Sequence, residues 1–327
     1  MYSQPDTFDI GVSAYLTPAG SVHCETFRQA VSMAVKNHNN PRDVRLWWEN
    51  DDASFEGGRR AAQNLVKRKV RLVVGHYASA AAAGALPVYR TAGIPLILPA
   101  ATSDQLTIGY ANAFRICRRD SSMAKYICDM IRHIHSAARV AVVHDDSLHG
   151  RSLSGALTAL LKESRQLSDR GQGPDAVVFT GSYKNSIRFL REYRASYPGC
   201  PLYLTDDAVH PDIEKEAQGF EQDLYIAGYA PGSWYPHAKE IMAEYWNQQQ
   251  VYPSAYFLET YAAMQIAFAI KEMPPEEMLS MLALKTWQTV LGNIQFVNRE
   301  NDCCRFAIWR ITNEHGLSAV LNLPAYA

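Results

Sequence analysis

Hydroxyl-bearing residues cluster at two points within one block of the chain, residues 73–107. Ser79 follows an apolar run that ends in Gly75-His76, and Thr102-Ser103 follow a second apolar run at residues 94–98. The pattern predicts two buried strands flanking a helix, with hydroxyl groups at the carboxyl end of each strand. In open α/β sheets, small ligands bind at this edge. The block therefore predicts a small-molecule binding rim.

The same residue types could also serve catalysis, with Ser79 as nucleophile and His76 or His149 as its base. However, Ser79 follows Gly-His-Tyr-Ala and lacks the G-x-S-x-G turn that exposes a nucleophilic serine. The chain contains no P-loop, no G-x-G-x-x-G after its first strand and no H-E-x-x-H. His133 and His135 are two positions apart in a helical pattern, so they would not share a face. We expect no catalytic residue, cofactor or metal site, and keep a hydrolase of amino-acid derivatives as a lesser alternative.

Alternating strands and helices must position these groups. Strand patterns at residues 8–12, 44–48 and 70–74 alternate with helical patterns at residues 27–38 and 58–69. This order predicts a parallel sheet with helices on both faces, and thus an α/β fold.

After residue 115 the alternation begins again and predicts a second lobe. The expected elements are helix 122–135, strand 140–144, helix 153–162, strand 176–180, helix 185–197, and strands 202–205 and 224–229. Later helices at residues 236–249, 255–271 and 275–284 should return to the first lobe, and a strand at residues 305–312 should join the second.

The expected domains are therefore residues 1–117 with 233–298 for the N-terminal ligand-binding lobe, and residues 118–232 with 299–327 for the C-terminal lobe. The chain would cross between the lobes near residues 114–118, 227–232 and 296–301. Three crossings predict a three-stranded hinge around which the lobes close on a ligand.

Composition excludes several classes of function. The chain has 327 residues, is 47% hydrophobic and 20% charged, and carries a formal net charge of -1, which argues against nucleic-acid binding. No apolar run is long enough to span a membrane. The first residues, MYSQPDTFDIGV, show neither a basic nor an apolar signal region. The localisation expected is cytoplasmic, or periplasmic or extracellular if a signal peptide has been removed.

The six cysteines lack the CxxC spacing of a zinc or redox site. Cys303 and Cys304 are adjacent in an expected strand, so their side chains would point to opposite faces. This placement argues against metal binding by the pair.

The 73–107 block resembles a known family, the bacterial solute-binding proteins for branched-chain and related amino acids. In that family a strand ending in Gly-His or Gly-Pro, a small/Ser segment, a helix, an Ile-containing strand and a Pro-Ala-Ala-Thr turn follow in this order. Phe114-Arg115-Ile116, the strand at residues 140–144 with its loop to His149-Gly150, and residues 256–265 are similar to later family segments. The resemblance implies the type 1 periplasmic binding fold, with two Rossmann-like lobes of parallel sheet.

The resemblance also implies a set of ligand-binding residues on the first lobe. Ser79 would donate its hydroxyl and N–H to a carboxylate, Ala100 would offer its carbonyl to an ammonium, and Thr102 would contact both groups. Tyr15 and His23 would line the side-chain pocket. For each hydroxyl, a turn-stabilising or helix-capping role stays open.

On the second lobe the implied ligand contacts are His149, Tyr183 and Asp207, each in a loop after a strand. Asp207 would face the ammonium in a charge-assisted contact. Asp206 is an equally suitable acid on chemistry alone, and His149, where the family often has a tyrosine, could be an exposed loop residue. A solvated or capping role for Asp207 stays open as well.

Two features depart from the family. An additional strand and helix normally separate helix 153–162 from strand 176–180, whereas only polar residues 163–174 intervene here, so the second lobe should be one βα unit short. Many members carry a disulfide whose positions here are Ser54 and Ala78, so the bridge is absent. Its absence favours a reducing compartment and also suits a periplasmic protein that never had the bridge.

The resemblance implies a binding protein that captures an amino acid or related small zwitterion in the interlobe cleft. The implied role is the recognition component of an ABC importer, with permease subunits as partners, no nucleic acid and no membrane span. A cytoplasmic ligand sensor of the same fold is the alternative.

Overall fold

The computed structural model describes residues 7–17, 21–136, 138–168, 173–312 and 316–321. The chain divides into two compact units. The first comprises residues 1–118, 235–243 and 256–304, and the second comprises residues 119–234, 244–255 and 305–327. Residues 244–255 and 299–304 thus group differently from the predicted lobes, the latter because Arg299 and Glu300 hydrogen-bond to Arg115.

The first unit begins with five strands and three helices in alternation. In chain order these are β1 Phe8–Ala14, α1 Cys24–Lys36, β2 Val44–Asn50, α2 Phe55–Lys67, β3 Leu72–Gly75, α3 Ser79–Ala92, β4 Leu96–Leu98 and β5 Ala113–Arg115. The strands form a wholly parallel sheet in the order β2-β1-β3-β4-β5, which confirms the predicted α/β class. Because β1 pairs with β2 on one side and β3 on the other, the strand order reverses direction at β1.

Helices α2 and α3 pack closely, and glycines make this possible. A Cβ atom at Gly58 would lie 2.0 Å from the Ala81 carbonyl oxygen, and one at Gly84 would lie 1.9 Å from the Phe55 carbonyl oxygen. Only glycine therefore fits at either position. Buried Leu65 and Tyr89 from the two helices join the apolar core beside the sheet. This packing fixes the helix that begins at Ser79.

The rest of the chain adds seven helices and eight strands in the described ranges. They are α4 Asp120–Ile134, β6 Val140–His144, α5 Leu148–Glu163, β7 Ala176–Thr180, α6 Tyr183–Ser196, β8 Leu202–Leu204, α7 Ile213–Glu216, β9 Leu224–Tyr229, α8 Lys239–Gln249, α9 Phe257–Ala269, α10 Met278–Leu284, β10 Trp287–Thr289, β11 Gly292–Ile294, β12 Phe306–Thr312 and β13 Gly316–Leu321. Sequence reasoning missed β10 and β11, which have three residues each, and the six-residue β13; each pairs antiparallel with a neighbour.

The second unit contains a six-stranded sheet in the order β13-β12-β9-β8-β7-β6. Strands β6 to β9 are parallel, and β12, the late strand predicted for this lobe, pairs antiparallel with β9. Four successive parallel strands bring the loops after β6, β7 and β8 to one edge of the sheet.

In the connection between α5 and β7, where the family normally has an additional strand and helix, the structure shows one parallel bridge between Leu167 and Val140 of β6. The Val140 N–H donates to the Gln166 carbonyl over 2.7 Å, and the Ser168 N–H donates to the Val140 carbonyl over 2.9 Å. Residues 169–172 of this connection lie outside the described part of the chain.

Three local predictions were wrong. Helix α5 begins at Leu148 because the Ser147 hydroxyl accepts a hydrogen bond from the Gly150 N–H, so His149 lies in a helical turn. Tyr183 is likewise the first residue of α6, and not a loop residue. The Cys303-Cys304 pair precedes β12, since the Cys303 N–H is held by the Asn301 side chain over 2.9 Å.

Candidate functional site

The loops after β3 and β4 meet at the carboxyl edge of the first sheet. The Ser79 hydroxyl oxygen accepts a hydrogen bond from the Ser103 N–H over 3.3 Å. Ser79, Ala100 and Thr102 are each about 95% buried, at 4%, 5% and 4% exposure. The structure therefore brings these three predicted residues into one small region of the first unit. Whether they bind a ligand remains a prediction.

Ser79 is also the first residue of α3, a helix of 14 residues. The N-cap position is Ala78, whose side chain cannot accept a hydrogen bond from the first turn. A helix N-terminus carries a partial positive charge and N–H groups that point outward along the axis. This end of the first sheet therefore suits a carboxylate.

His76 is fully buried and both of its ring nitrogens are engaged. Nδ1 lies 2.7 Å from Asp51 Oδ2, and Nε2 lies 3.2 Å from the Tyr89 hydroxyl. The Ser13 hydroxyl donates to the Glu49 carbonyl over 3.1 Å beside this group. Because both ring nitrogens are bonded to Asp51, which follows β2, and to Tyr89 of α3, His76 is not arranged as a base for Ser79.

Aromatic rings surround Tyr77, which stands between His76 and the start of α3. The Tyr77 ring packs edge-on against Phe27 at 4.9 Å and Tyr256 at 5.8 Å between ring centroids. Its hydroxyl lies 2.6 Å from Thr260 Oγ1. His23 lies edge-on to Tyr256, with 6.2 Å between ring centroids. His23, which was predicted to line the side-chain pocket, thus belongs to the aromatic group around Tyr77 in the first unit.

Tyr15, the other predicted pocket residue, follows β1 and is partly exposed. β1 is the strand at which the first sheet reverses its order. Its carboxyl end is the expected position for a ligand contact in a sheet of this kind. Part of the loop that joins Tyr15 to His23, residues 18–20, lies outside the described residues.

In the second unit, Asp145 ties together the loops after β6 and β7. Its carboxylate accepts hydrogen bonds from the Ser147 N–H at 3.1 Å, the Ser182 N–H at 2.9 Å and the Asn185 side chain at 2.8 Å. Burial alone would raise its pKa, but these donors outweigh burial and lower the pKa of Asp145. Asp145 was not among the predicted site residues, although its place directly after a strand was a usable signal.

His149 lies between two buried carboxylates. Its Nδ1 is 3.4 Å from Asp120 Oδ1, and its Nε2 is 3.6 Å from Asp206 Oδ1. Burial opposes the charged imidazolium, but the carboxylates of Asp206, Asp120 and Asp207 outweigh burial and raise the pKa of His149 to about 10. His149 is therefore a cation at neutral pH, and not the exposed loop residue that the sequence left open.

Of the two acids weighed on the sequence, Asp206 is the buried partner of His149, whereas Asp207 is partly exposed. Tyr183 is 8% exposed and packs against His210 with 5.0 Å between ring centroids. Burial raises the pKa of the Tyr183 hydroxyl, so it stays protonated. The role of Asp120 was missed because it lies 29 residues before His149 in the sequence.

We call the carboxyl edges of the parallel strands in the two sheets the first and the second rim, and their polar groups differ in charge. The first presents hydroxyl and peptide groups at a helix N-terminus, which favour an anionic group. In the second, three carboxylates, Asp120, Asp206 and Asp207, act on the single imidazolium of His149. Carboxylates of this kind can accept charge-assisted hydrogen bonds from a cationic group. Across the described residues, no cluster of three or more His, Cys, Asp or Glu side chains could hold a metal ion.

Comparison with known sequences supports a common origin with binding proteins. Residues 7–166 match the sequence profile described as periplasmic binding protein. An amino acid binding protein from Pseudomonas aeruginosa is 27% identical over 288 residues, which cover 78% of this chain and 76% of that protein. A Leu/Ile/Val-binding protein homolog 2 from Brucella abortus is 28% identical over 344 residues, covering 88% of this chain and 85% of that protein.

Solved structures show the same fold. A leucine binding protein LivK from Thermotoga maritima superposes with a TM-score of 0.85 at 19% identity, covering 98% of this chain and 99% of that one. LivJ from Streptococcus pneumoniae in complex with isoleucine gives a TM-score of 0.80 at 20% identity, with 97% and 99% covered. A solute binding protein from Rhodopseudomonas palustris in complex with 3,4-dihydroxy benzoic acid gives 0.76 at 17% identity, with 97% and 96% covered.

None of the described helices is both long and apolar enough to cross a membrane. The sequence match, the superposed folds and the two parallel-sheet units agree with the resemblance drawn from residues 73–107. Residues 7–166 of this chain match the periplasmic binding protein family, a family of binding proteins, and the chain has the two-lobe α/β fold of type 1 periplasmic binding protein structures.

Proposed function

We propose that this protein binds an amino acid or a closely related small zwitterion as the recognition component of an ABC importer. The observation that carries the proposal is the difference between the two rims: the first presents hydrogen-bond donors at a helix N-terminus, and the second carries three acidic side chains around His149. The ligand carboxylate is assigned to Ser79, Thr102 and the N-terminus of α3, and the ammonium to Asp207 with the Ala100 carbonyl. The amino acids named for LivK and LivJ carry the same pair of charged groups.

Desolvation explains why both charges need a partner. A carboxylate and an ammonium each lose water when they enter a protein site, and the loss is unfavourable unless hydrogen bonds or opposite charges replace it. The first rim has hydrogen-bond donors, and the second has three acidic side chains around His149. Neither rim alone meets both requirements, so the proposal uses Ser79 from one unit and Asp207 from the other.

The position of His149 bears on which acid of the second rim is proposed to bind the ligand ammonium. Asp120 and Asp206 lie beside the His149 ring, and Asp207 is the partly exposed acid of the cluster. The aromatic group around Tyr77, with His23 and Tyr256, is proposed to contact the ligand side chain. An apolar or aromatic side chain fits this environment better than a charged one.

The test begins with a thermal-shift screen of the standard amino acids, because a ligand that binds only the folded chain raises the melting temperature. Calorimetry then compares the best amino acid with two matched molecules, one lacking the amine and one lacking the carboxylate. Loss of one charge-assisted contact should weaken binding by about tenfold to a hundredfold for each molecule.

Equal affinity for the molecule without the amine would overturn the assignment of Asp207. The ligand class would then be carboxylic acids, such as the one named for the Rhodopseudomonas palustris structure. The importer role is tested by gene context, where permease and ATPase genes beside the coding gene are expected. A regulatory gene in their place would favour the sensor alternative.

A further inference from the structure

Arg115 is a fully buried arginine at the end of β5, and every nitrogen of its guanidinium group has an acceptor. Nε donates to Glu300 Oε2 at 3.0 Å, and Nη1 donates to the Ala101 carbonyl at 2.8 Å. Nη2 donates to the Ser103 carbonyl at 2.9 Å and contacts Thr107 Oγ1 at 3.3 Å. Because the guanidinium group is planar and its N–H donors point in fixed directions, it can bond to the Glu300 carboxylate and to both carbonyls at once.

Two of these acceptors are the carbonyls on either side of Thr102. The Ala101 carbonyl belongs to the same peptide group as the Thr102 N–H, so fixing this carbonyl fixes the direction of that N–H. The bond to the Ser103 carbonyl restrains the turn on the other side of Thr102. The Ser103 N–H in turn donates to Ser79 Oγ. A single buried side chain therefore supports the turn that carries one predicted ligand residue and touches another.

The opposite side of Arg115 faces the segment that precedes β12. Besides the ion pair with Glu300, the Arg115 N–H donates to the Arg299 carbonyl over 2.9 Å. The neighbouring Ile116 carbonyl accepts from the Asn301 side chain at 2.8 Å. Residues 115–118 and 299–304 are two of the three segments by which the chain leaves the first unit. Arg115 belongs to the first of these segments, and its side chain contacts both the candidate binding turn and Glu300 of the second segment.

We infer that Arg115 is a positioning residue, which holds the Ala101–Ser103 turn in its ligand-binding geometry and anchors it to the Glu300 segment. This inference deepens the proposed function and rests on it for the ligand. The role of Arg115 follows from the arrangement of its donors, since lysine carries the same charge but cannot direct donors to both carbonyls and to Glu300.

The experiment uses the full chain with Arg115→Lys and a matched control, Arg194→Lys. Arg194 is also a buried arginine that donates to backbone carbonyls, those of Pro198, Cys200 and Gln222. It lies in the last turn of α6, roughly 16 Å along the helix from Tyr183. Both variants make the same chemical change and remove similar bonds, but only one touches the binding turn.

Hydrogen–deuterium exchange of the ligand-free chain is the first measurement. Arg115→Lys should speed exchange in peptides covering residues 99–107 by about tenfold, because the turn loses charge-assisted bonds. Arg194→Lys should leave these peptides unchanged. Equal exchange of the turn in wild type and Arg115→Lys overturns the inference, whether or not any amino acid binds.

Ligand affinity is the second measurement, made with the amino acid that gives the largest thermal shift. Arg115→Lys should weaken binding by about tenfold, while Arg194→Lys should match wild type even if both melt earlier. If Arg115→Lys does not fold, Thr107→Val replaces it, since it removes the contacts of the Thr107 hydroxyl with Arg115 and Glu300 and keeps every charge. Failure of wild type to bind any amino acid overturns the proposed function, and the exchange result still decides the role of Arg115.

Discussion

The backbone N–H of Ser103 donates a hydrogen bond to the hydroxyl oxygen of Ser79 over 3.3 Å, and so joins the loops that follow β3 and β4. The Ser79 hydroxyl is thereby held as an acceptor toward the turn, which leaves its hydrogen to donate elsewhere. A carboxylate at the N-terminus of α3 is the partner that we propose for it.

Ser79→Ala should weaken binding of the selected amino acid by about tenfold, because one hydrogen bond to a charged group is lost. Isothermal titration calorimetry measures the effect. Ser280→Ala is the control, since Ser280 is exposed and bonds only within its own helical region. Unchanged affinity in Ser79→Ala would remove this residue from the proposed site.

His149 should make stability depend on pH. The carboxylates around it overcome the effect of burial and raise its pKa from 6.5 to about 10 in the folded chain. A raised histidine pKa stabilises the folded state fully below about pH 6.5, and the stabilisation declines as the pH rises toward about 10.

Urea unfolding of wild type and His149→Gln across this range tests the prediction. The wild-type free energy of unfolding should fall more steeply with rising pH than that of His149→Gln. His133→Gln is the control because His133 is exposed on α4. Parallel pH profiles for wild type and His149→Gln would show that His149 does not keep its proton in the folded chain.

Substitution of Asp206 should mainly reduce stability, whereas substitution of Asp207 should mainly weaken ligand binding. Asp206→Asn removes the buried carboxylate beside Nε2 of His149, so it should cost about 3 kcal/mol of stability and lower the pKa of His149. Asp207→Asn should change stability by less than about 0.5 kcal/mol because Asp207 is partly exposed. It should instead weaken amino-acid binding.

Melting temperatures and calorimetry of the two variants give the comparison, and NMR titration of His149 supplies the pKa. The two substitutions are chemically identical and adjacent in sequence, so each serves as the control for the other. Equal loss of affinity with equal loss of stability would contradict this prediction.

Glu259 is a buried acid on α9, and burial raises its pKa from 4.5 to about 7. The folded chain therefore holds a proton that the unfolded chain has released, and this residue's contribution to stability falls as the pH rises from about 4.5 to about 7. Glu259→Gln removes the ionisable group and should raise the melting temperature relative to wild type at pH values above about 7.

Differential scanning calorimetry at several pH values measures this effect. Glu272→Gln is the control, because the Glu272 side chain is 75% exposed. If Glu259→Gln melted below wild type at every pH, then the ionised carboxylate would be a stabilising group, and the raised pKa would be wrong.

Much of the fold could be predicted from local sequence. Strands β6, β7 and β9 have the predicted bounds, since each is a short apolar run with a clear boundary. The short strands β10 and β11 were missed because three residues carry too little pattern to distinguish a strand from a turn. Helix α5 was predicted five residues late, because its capping residue, Ser147, looked like part of a polar loop.

Some features of the candidate site could likewise be predicted from the sequence, and others could not. The motif at residues 73–107 was enough to place Ser79 and Thr102 near each other, because the carboxyl ends of neighbouring parallel strands share an edge. It was not enough to identify the charge on His149. That charge depends on Asp120 and Asp206, which come from separate elements of the second unit.

The sequence by itself determined the α/β class, the order of the first sheet's elements and the turn that carries Thr102, because these follow from local hydrophobic periodicity and turn chemistry. Only the tertiary structure decided that Arg115 holds this turn and pairs with Glu300, 185 residues later. Local patterns report which side chains avoid water, but folding decides which charged groups lose their water together and must therefore satisfy one another.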